Sequence, residues 1–205
     1  MILCLVTDRR RRSVIEQCRN ASRAGVDLIQ LRELDLEAAA LSLLGARLVE
    51  ATRDTATRIV VNDRLDVALT CGASGVHLRG DSIPPARARE MTPPGFLIGR
   101  SVHGVDEAVL AARHADYLIA GTVFPTPSKP GLHEHLGVDG LSAIVKAVQI
   151  PVLAIGGVSM DRIEAVAGAG AAGVAAISLF DADADALFLA MRDARRRFDS
   201  ARSPS

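Results

Sequence analysis

The segment GTVFPTPSKPG, residues 121–131, combines the side chains from which an anion site can be built. Thr126, Ser128 and Lys129 place two hydroxyl groups and one ammonium group within four residues. These groups donate hydrogen bonds to anions, and the prolines at positions 125, 127 and 130 restrict the backbone before a ligand arrives. The segment follows a short apolar run and contains nothing that would continue it as a strand. It is predicted to be an anion-binding loop at the end of a strand, with Lys129 supplying the positive charge.

A second candidate for anion binding is the glycine pair Gly156-Gly157, which follows the apolar run VLAI. Without a Cβ atom, a glycine backbone can approach a phosphate group closely and offer it an N–H donor. Ser178 ends the next apolar run and adds a hydroxyl group. Phosphate binding is the favoured interpretation of the glycine pair, and a tight turn that binds no ligand is the alternative.

Earlier in the chain, two arginines and two aspartates follow apolar runs. Arg32 and Arg64 predict a further anion site, and Asn62 or Arg64 is a candidate contact to a pyrophosphate. Asp63 is a candidate Mg2+ ligand, because proteins usually hold Mg2+ through one or two carboxylates together with substrate oxygens. Asp81 is the candidate second carboxylate. The alternative is that these residues begin helices, with Asn62 or Asp63 capping one helix and Asp81 the next.

The elements that must position these residues alternate between short apolar runs and longer runs with helical periodicity. Strands are predicted at residues 2–6, 27–31, 58–61, 75–78, 96–99, 117–119, 152–155 and 173–177. Helices are predicted at 13–24, 35–52, 65–70, 84–91, 105–114, 140–148, 160–167 and 183–198, with Asp35 and Ser159 as N-caps and Gly25, Gly72 and Gly168 as stops.

Eight such units predict an α/β fold, a single (β/α)8 TIM barrel over residues 1–205 with a disordered tail at 199–205. A doubly wound sheet is the alternative, but the first strand is followed by TDR and not by a G-x-G-x-x-G turn. In a TIM barrel the functional residues lie on the rim where the strands end, which is where the polar residues of this chain concentrate. His77 and His103 also lie there, as candidates for proton transfer or metal binding.

Composition narrows the function classes. Twenty-four basic and twenty-four acidic residues give a formal net charge of zero, which argues against nucleic acid and membrane surfaces as partners. Three cysteines without C-x-x-C spacing argue against disulfides and structural zinc. The N-terminal segment lacks the charge order of a signal peptide, so a cytoplasmic location is expected. The oligomeric state is left open, and a homodimer is compatible with the sequence.

The strand-end motifs, taken together and in this order, resemble the thiamine phosphate synthase family and its thiazole tautomerase relatives of the TenI type. The resemblance runs from Leu5 to about Phe180. The motifs are QLRE (30–33), VNDR (61–64) with VAL (67–69), GVHL (75–78), GRSVH (99–103), DY (116–117), GTVFPTPSK (121–129), AIGG (154–157), GVA (173–175) and IS (177–178).

The resemblance implies a barrel enzyme that couples hydroxymethylpyrimidine pyrophosphate to a thiazole phosphate and releases pyrophosphate with the help of Mg2+. It implies that Asp63 contacts the metal and Ser101 the reacting centre. Its other implied contacts are Gln30, Arg32, Asn62 and Lys129 for the pyrophosphate and Thr126, Ser128, Gly157, Ile177 and Ser178 for the thiazole phosphate.

Three positions depart from the family pattern. Leu34 stands where the family has a lysine, and Ser82 stands at the position of the second metal carboxylate, with Asp81 displaced by one. Thr122 stands where the tautomerases have a histidine. Three functions therefore stay open at this point: a synthase, a tautomerase-like isomerase, and a non-catalytic protein that binds the thiazole phosphate.

Overall fold

A closed barrel of parallel strands is the framework of the protein. The structure, a computed structural model, describes residues 1–126 and 135–202. The strands in this part of the chain are β1 (Ile2–Val6), β2 (Leu28–Leu31), β3 (Arg58–Asn62), β4 (Gly75–Leu78), β5 (Leu97–Val102), β6 (Tyr117–Gly121), β7 (Val152–Ile155) and β8 (Gly173–Ala176). Each strand pairs in parallel with the next, and β8 pairs with β1. The prediction of a (β/α)8 barrel is confirmed, and the doubly wound alternative is wrong because the sheet closes on itself.

Helices follow the strands and cover the outside of the barrel. They are α1 (Val14–Arg23), α2 (Ala38–Ala51), α3 (Leu65–Thr70), α4 (Pro85–Glu90), α5 (Val105–Ala111), α6 (Gly137–Ala147), α7 (Ile163–Gly168) and α8 (Ala184–Arg202). Short 3-10 turns at Met160–Arg162 and Ser178–Phe180 precede the last two helices. Among the described helices, none combines the length and the apolar character that crossing a bilayer demands.

The strands separate two hydrophobic layers, because alternate side chains point to opposite faces of a strand. On β1, Leu3 and Leu5 belong to the layer that packs against the helices, whereas Cys4 and Val6 face the barrel interior. Strands buried on both faces explain why these segments are continuous apolar runs. Toward the carboxyl end of the inner face the side chains become polar, so the barrel itself places polar groups at one mouth.

Several predicted helix boundaries differ from the structure. Asp35 does not cap α2, which begins at Ala38 after Glu37, because Asp35 forms an ion pair with Arg9. Gly168 is the last residue of α7 and not its stop, since Gly170 takes the positive φ of 85° beyond it. The last helix runs to Arg202, so residues 199–202 are helical and not a disordered tail; residues 203–205 lie outside the described residues.

Strands β3, β5 and β6 extend beyond their predicted ends, and the extensions of β5 and β6 bear on the site. β5 continues to Val102 because it pairs with β6 through Ser101 and Val102, so Ser101 lies within a strand and is held by it. β6 continues to Gly121, which pairs with Ile155 of β7. All three cysteines are free and buried, as expected for small core residues at positions 4 and 71.

Candidate active site

The mouth at the carboxyl ends of the strands holds a pair of buried amide side chains. Gln30 on β2 donates from Nε2 to Oδ1 of Asn62 on β3 over 2.9 Å. Only 4% of Gln30 and 6% of Asn62 is exposed. Nδ2 of Asn62 has no hydrogen-bond partner within residues 1–126 and 135–202. A buried donor without a partner is costly, so this nitrogen is suited to an acceptor atom of a ligand.

A cavity of about 190 Å3 opens at the same end of the barrel, and its walls come from the segments that follow β1 and β2. It is lined by Asp8, Arg9, Arg10, Arg32, Glu33, Leu34 and Asp35. Most of its charged groups are already paired. Arg10 binds Asp8 at 2.8 Å, and this contact holds the pKa of the Asp8 carboxyl below its usual value. Arg9 pairs with Asp35.

Glu33 is buried under the same cavity and is satisfied by neutral donors. The hydroxyl of Thr7 donates to its Oε1 over 2.6 Å, and the backbone N–H of Arg9 donates to its Oε2 over 3.1 Å. The Thr7 hydroxyl oxygen accepts from the backbone N–H of Arg32 over 3.0 Å. These bonds fix the end of β2 in place. The guanidinium of Arg32 has no partner among the described side chains, which leaves it available to a ligand anion.

The two predicted metal carboxylates converge on one arginine. Arg79, after β4, pairs with Asp81 and lies 3.9 Å from Oδ2 of Asp63. Asp63 adopts a positive φ of 61°, and its backbone N–H donates to the carbonyl of His77 over 2.8 Å. A non-glycine residue with positive φ is uncommon and indicates that surrounding contacts hold it there. Neither aspartate caps a helix, because the cap positions are Arg64 and Pro84.

These residues fit Mg2+ in part. Asp63 and Asp81 supply two carboxylates that approach the same guanidinium, and that number suffices when substrate oxygens complete the coordination. Within the described residues no group of three or more metal-binding side chains comes together. Arg79 stands where a cation would reduce the repulsion between the two carboxylates, so a metal ion would have to displace it. Ser82, the position implied for the second carboxylate, instead offers its carbonyl to Arg100.

Two other rim arginines already contact groups of the protein. Arg64, a predicted substrate contact, binds Asp66 at the start of α3 at 2.6 Å. Arg100 donates to the carbonyls of Gly80 at 2.7 Å and Ile83 at 2.9 Å. Arg100 therefore shapes the loop that carries Asp81.

His77 lies inside the barrel between two other polar side chains. Its Nε2 lies 2.9 Å from the hydroxyl oxygen of Ser101, and its Nδ1 lies 3.3 Å from the hydroxyl oxygen of Tyr117. Burial, aided by the positive charge of Arg100, lowers the pKa of His77 to about 3. His77 is therefore neutral at physiological pH. His103 points elsewhere and contacts Glu107 on the surface.

The glycine pair after β7 lies against the loop that follows β6. A Cβ atom on Gly156 would lie 2.4 Å from the Thr122 methyl group, and one on Gly157 would lie 2.4 Å from the carbonyl oxygen of Pro125. Both glycines also take positive φ angles, 95° and 62°. The backbone N–H of Phe124 donates to the Gly156 carbonyl over 3.0 Å, which ties the two loops together. Only glycine fits at either position.

The remaining predicted phosphate contacts follow the strands on either side of β7. Ile177 and Ser178 follow β8, which pairs with β7, and Thr126 ends the described part of the loop after β6. The Ser178 side chain is exposed, and Ile177 and Thr126 are half-buried. Ser128 and Lys129 lie outside the described residues. The ends of β6, β7 and β8 thus form a second part of the same mouth.

A larger cavity, of about 350 Å3, lies at the opposite end of the barrel. Its walls are mostly apolar residues at the amino ends of the strands, including Leu28, Leu97 and Leu153. Active sites of TIM barrels lie at the carboxyl ends of the strands, where the polar groups of this protein also gather. We therefore place the candidate site at the carboxyl ends of the strands, although the cavity there is the smaller of the two.

Sequence reasoning missed the roles of Tyr117 and Gly99, which it quoted only as members of the motifs DY and GRSVH. The available signal was the alternation of side chains along a strand. Gly99 and Ser101 lie two residues apart and point inward from β5, and His77 points inward from β4. The contacts between inward residues of three strands depend on the register of those strands. Sequence motifs do not reveal that register.

Comparison with known proteins shows the family to which the chain belongs. The family model described as thiamine monophosphate synthase matches residues 3–180. The thiamine-phosphate synthase of Methanoregula boonei is 42% identical over 192 residues, covering 93% of this chain and 88% of that protein. The thiamine-phosphate synthase of Roseiflexus castenholzii is 42% identical over 181 residues, covering 86% of this chain and 79% of that protein.

A solved structure is similar over almost the whole chain. The thiamine phosphate pyrophosphorylase from Pyrococcus furiosus superposes with a TM-score of 0.86 at 35% identity, covering 98% of this chain and 97% of that chain. Every residue of the candidate site, from Gln30 to Ser178, lies within the range that the family model matches.

Proposed function

Because this chain belongs to the thiamine monophosphate synthase family, we propose that it couples hydroxymethylpyrimidine pyrophosphate to a thiazole phosphate. The reaction forms thiamine phosphate and releases pyrophosphate, so the enzyme is a transferase of thiamine biosynthesis. Its relatives carry the name of this activity at about 42% identity over most of their length.

The observation that carries the proposal is the pair of unsatisfied donors at the mouth. Asn62 at the end of β3 holds a buried amide nitrogen without a partner in the described chain, and Arg32, which follows the neighbouring strand β2, has a guanidinium without a partner among the described residues. A pyrophosphate group supplies acceptor oxygens for the Asn62 amide and a negative charge that pairs with the Arg32 guanidinium. Bonds from charged donors to phosphate oxygens are among the stronger hydrogen bonds in proteins.

The leaving group is where these residues act. As the bond between the pyrimidine methylene carbon and the pyrophosphate oxygen breaks, negative charge accumulates on the pyrophosphate. Arg32, Asn62 and Gln30 hold that group at the ends of β2 and β3, and Lys129 adds a cation from the loop after β6. Preorganised donors stabilise the developing charge without reorganisation, which is the main way such a site accelerates the reaction.

Mg2+ is part of the proposal, and Asp63 and Asp81 would hold it. When bound, it supplies positive charge that stabilises the departing pyrophosphate. The displacement of Asp81 by one position relative to the family pattern is compatible with this role, since both aspartates already contact the same guanidinium.

The thiazole phosphate is proposed to bind at the ends of β6, β7 and β8. The glycine pair brings the backbone to the surface of the mouth, and the hydroxyl groups of Thr126, Ser128 and Ser178 add donors. Phosphate binding after the seventh and eighth strands is frequent in TIM barrels. The two substrates then enter one mouth from opposite sides, with the early strands binding pyrophosphate and the late strands binding phosphate.

The tautomerase alternative has less support. Thr122, which stands where those relatives have a histidine, is only 6% exposed and packs under Gly156. A threonine hydroxyl is also a poor acid and base at neutral pH, so this side chain is not suited to moving protons in the mouth. The tautomerase reading and the non-catalytic reading remain outcomes of the test below.

The test is to incubate the purified protein with both substrates, with and without Mg2+, and to measure thiamine phosphate and pyrophosphate. Equal amounts of the two products, formed only with Mg2+, support the proposal. Thiazole isomerisation without coupling supports the tautomerase, and ligand binding without either reaction supports the non-catalytic protein. Lys129→Ala should reduce turnover far more than Arg9→Ala, and equal activity of the two variants would contradict the proposed anion site.

Location and assembly remain predictions. The formal charge of zero argues against nucleic acid and membrane surfaces as partners and is compatible with small phosphorylated substrates, and the cytoplasmic location stays a prediction. Sedimentation analysis of the purified protein would test the homodimer.

A further inference from the structure

We propose that Tyr117 and His77 are positioning residues that hold the Ser101 hydroxyl oxygen as an acceptor, so that its hydrogen is directed to the ligand. The three side chains form a chain of hydrogen bonds across three neighbouring strands, β4, β5 and β6. The proposal rests on the proposed function only for the identity of that ligand. The directions of the hydrogen bonds among Tyr117, His77 and Ser101 do not depend on which ligand binds.

The geometry places the chain deep in the barrel. Nδ1 of His77 lies 3.3 Å from the Tyr117 hydroxyl oxygen, and Nε2 lies 2.9 Å from the Ser101 hydroxyl oxygen. Only 1% of His77 and 5% of Tyr117 is exposed, whereas Ser101 is half-buried at the mouth. The chain therefore has an inner end at Tyr117 and an outer end at Ser101.

The direction of the hydrogen bonds follows from the inner end. Burial raises the pKa of Tyr117 well above its usual value, so its hydroxyl keeps its hydrogen. Nδ1 of His77 lies within hydrogen-bonding distance of that hydroxyl and is its only hydrogen-bonding partner in the part of the chain that the structure describes. A buried hydroxyl with an unused hydrogen is costly, so Tyr117 donates and Nδ1 accepts.

A neutral imidazole has one donor nitrogen and one acceptor nitrogen. His77 is buried and has no carboxylate in hydrogen-bonding contact among the described residues, so it is neutral. With Nδ1 as the acceptor, Nε2 carries the hydrogen and donates it to the oxygen of Ser101. The hydrogen of Ser101 is then free to point into the mouth.

Gly99 provides independent support. It lies on β5 between the strands of His77 and Tyr117 and points to the same interior. A Cβ atom at this position would lie 2.2 Å from Cζ and 2.4 Å from the hydroxyl oxygen of Tyr117, and 2.5 Å from Nδ1 of His77. Because Gly99 has no side chain, there is room for Tyr117 and His77 to contact each other.

The arrangement determines what Ser101 can do. A serine beside a histidine often acts as a nucleophile, with the histidine accepting its proton. Here the nitrogen that faces Ser101 is a donor and cannot accept that proton. Ser101 therefore serves as a neutral hydrogen-bond donor, suited to an oxygen that gains negative charge as the leaving group departs.

The test reads the tautomer of His77 directly. Long-range proton–nitrogen correlation spectra of the ligand-free protein labelled with 15N-histidine would be recorded, and His77→Gln would assign the signals. We expect the neutral Nε2–H form in the wild-type protein. In Tyr117→Phe, which retains the ring, nothing holds the hydrogen on Nε2, so the two ring nitrogens should shift toward an average of the two tautomers.

A kinetic arm completes the test. Tyr117→Phe should lower kcat about tenfold, the rate equivalent of one hydrogen bond, with KM within about twofold of the wild-type value. An Nδ1–H tautomer in the wild-type protein, or unshifted nitrogens in Tyr117→Phe, would overturn the proposal. If the wild-type protein shows the Nε2–H form but no turnover, the assigned reaction fails and the positioning chain stands.

Discussion

The burial of His77 predicts how stability depends on pH. Its pKa is lowered from 6.5 to about 3, first by burial and then by Arg100, while Asp63 opposes the shift. In the unfolded chain His77 binds a proton as the pH falls below about 6.5, whereas in the folded protein it does not. The unfolded state thus holds more protons between about pH 3 and 6.5, and folding stability falls as the pH is lowered through this range.

The magnitude follows from proton linkage. Each pH unit below the unfolded pKa changes the free energy of unfolding by about 1.4 kcal/mol per proton. Between pH 7 and pH 5 the unfolded His77 becomes almost fully protonated, and the folded His77 stays neutral. His77 alone should therefore remove about 2 kcal/mol of stability between these pH values.

Urea unfolding followed by circular dichroism would measure this difference at pH 7 and pH 5. The wild-type protein should lose about 2 kcal/mol more than His77→Gln between the two pH values. His103→Gln is the matched control, because His103 is a strand-end histidine on the surface beside Glu107. Between pH 7 and pH 5, His103→Gln should lose about as much stability as the wild type, because this exposed histidine contributes little to the change. An equal loss in wild type and His77→Gln would refute the reasoning.

Four further predictions concern the ligand sites. Arg32→Met should reduce kcat/KM about 10- to 100-fold, the rate equivalent of one charged hydrogen bond, in steady-state assays. Leu34→Lys adds a cation to the rim cavity and should raise the synthase rate; no gain, with thiazole phosphate still bound, would favour the tautomerase or the binding protein. Gly157→Ala should abolish thiazole phosphate binding in calorimetry because of its clash with the Pro125 carbonyl, whereas Gly25→Ala, with a φ of 76° and open space, should cost stability only. Arg79→Ala should tighten the binding of Mn2+, used as a probe for Mg2+ and measured by electron paramagnetic resonance, because the competing guanidinium is gone; weaker binding would contradict the two-aspartate site.

The fold was predictable because its signal is local. Short β-branched runs alternate with amphipathic helices, and this alternation predicts parallel strands joined by right-handed crossovers. Three strands, β1, β4 and β7, begin and end at the predicted residues. The errors occurred where tertiary contacts override local preference. α2 begins at Ala38 because Asp35 is engaged by Arg9, and β5 extends to Val102 because β6 pairs with it.

The sequence predicted a set of site residues, which stays a prediction, but it did not predict how those residues are arranged. Arg32, Asn62, Asp63 and Ser101 were all assigned to the mouth, because strand ends and motifs mark them. Their partners were not. Arg64 was assigned to a substrate, yet its guanidinium binds Asp66, which lies two residues away and was not considered.

The sequence alone thus determined the chain of βα units and the end of the barrel at which polar groups gather, since both follow from residue types in order. Only the tertiary structure decided which groups meet: Asp63 and Asp81 at Arg79, Gln30 and Asn62 across two strands, and Tyr117, His77 and Ser101 across three. Those contacts depend on the register of neighbouring strands and on the closure of the barrel. Both are set by the packing of the whole molecule, which no single segment encodes.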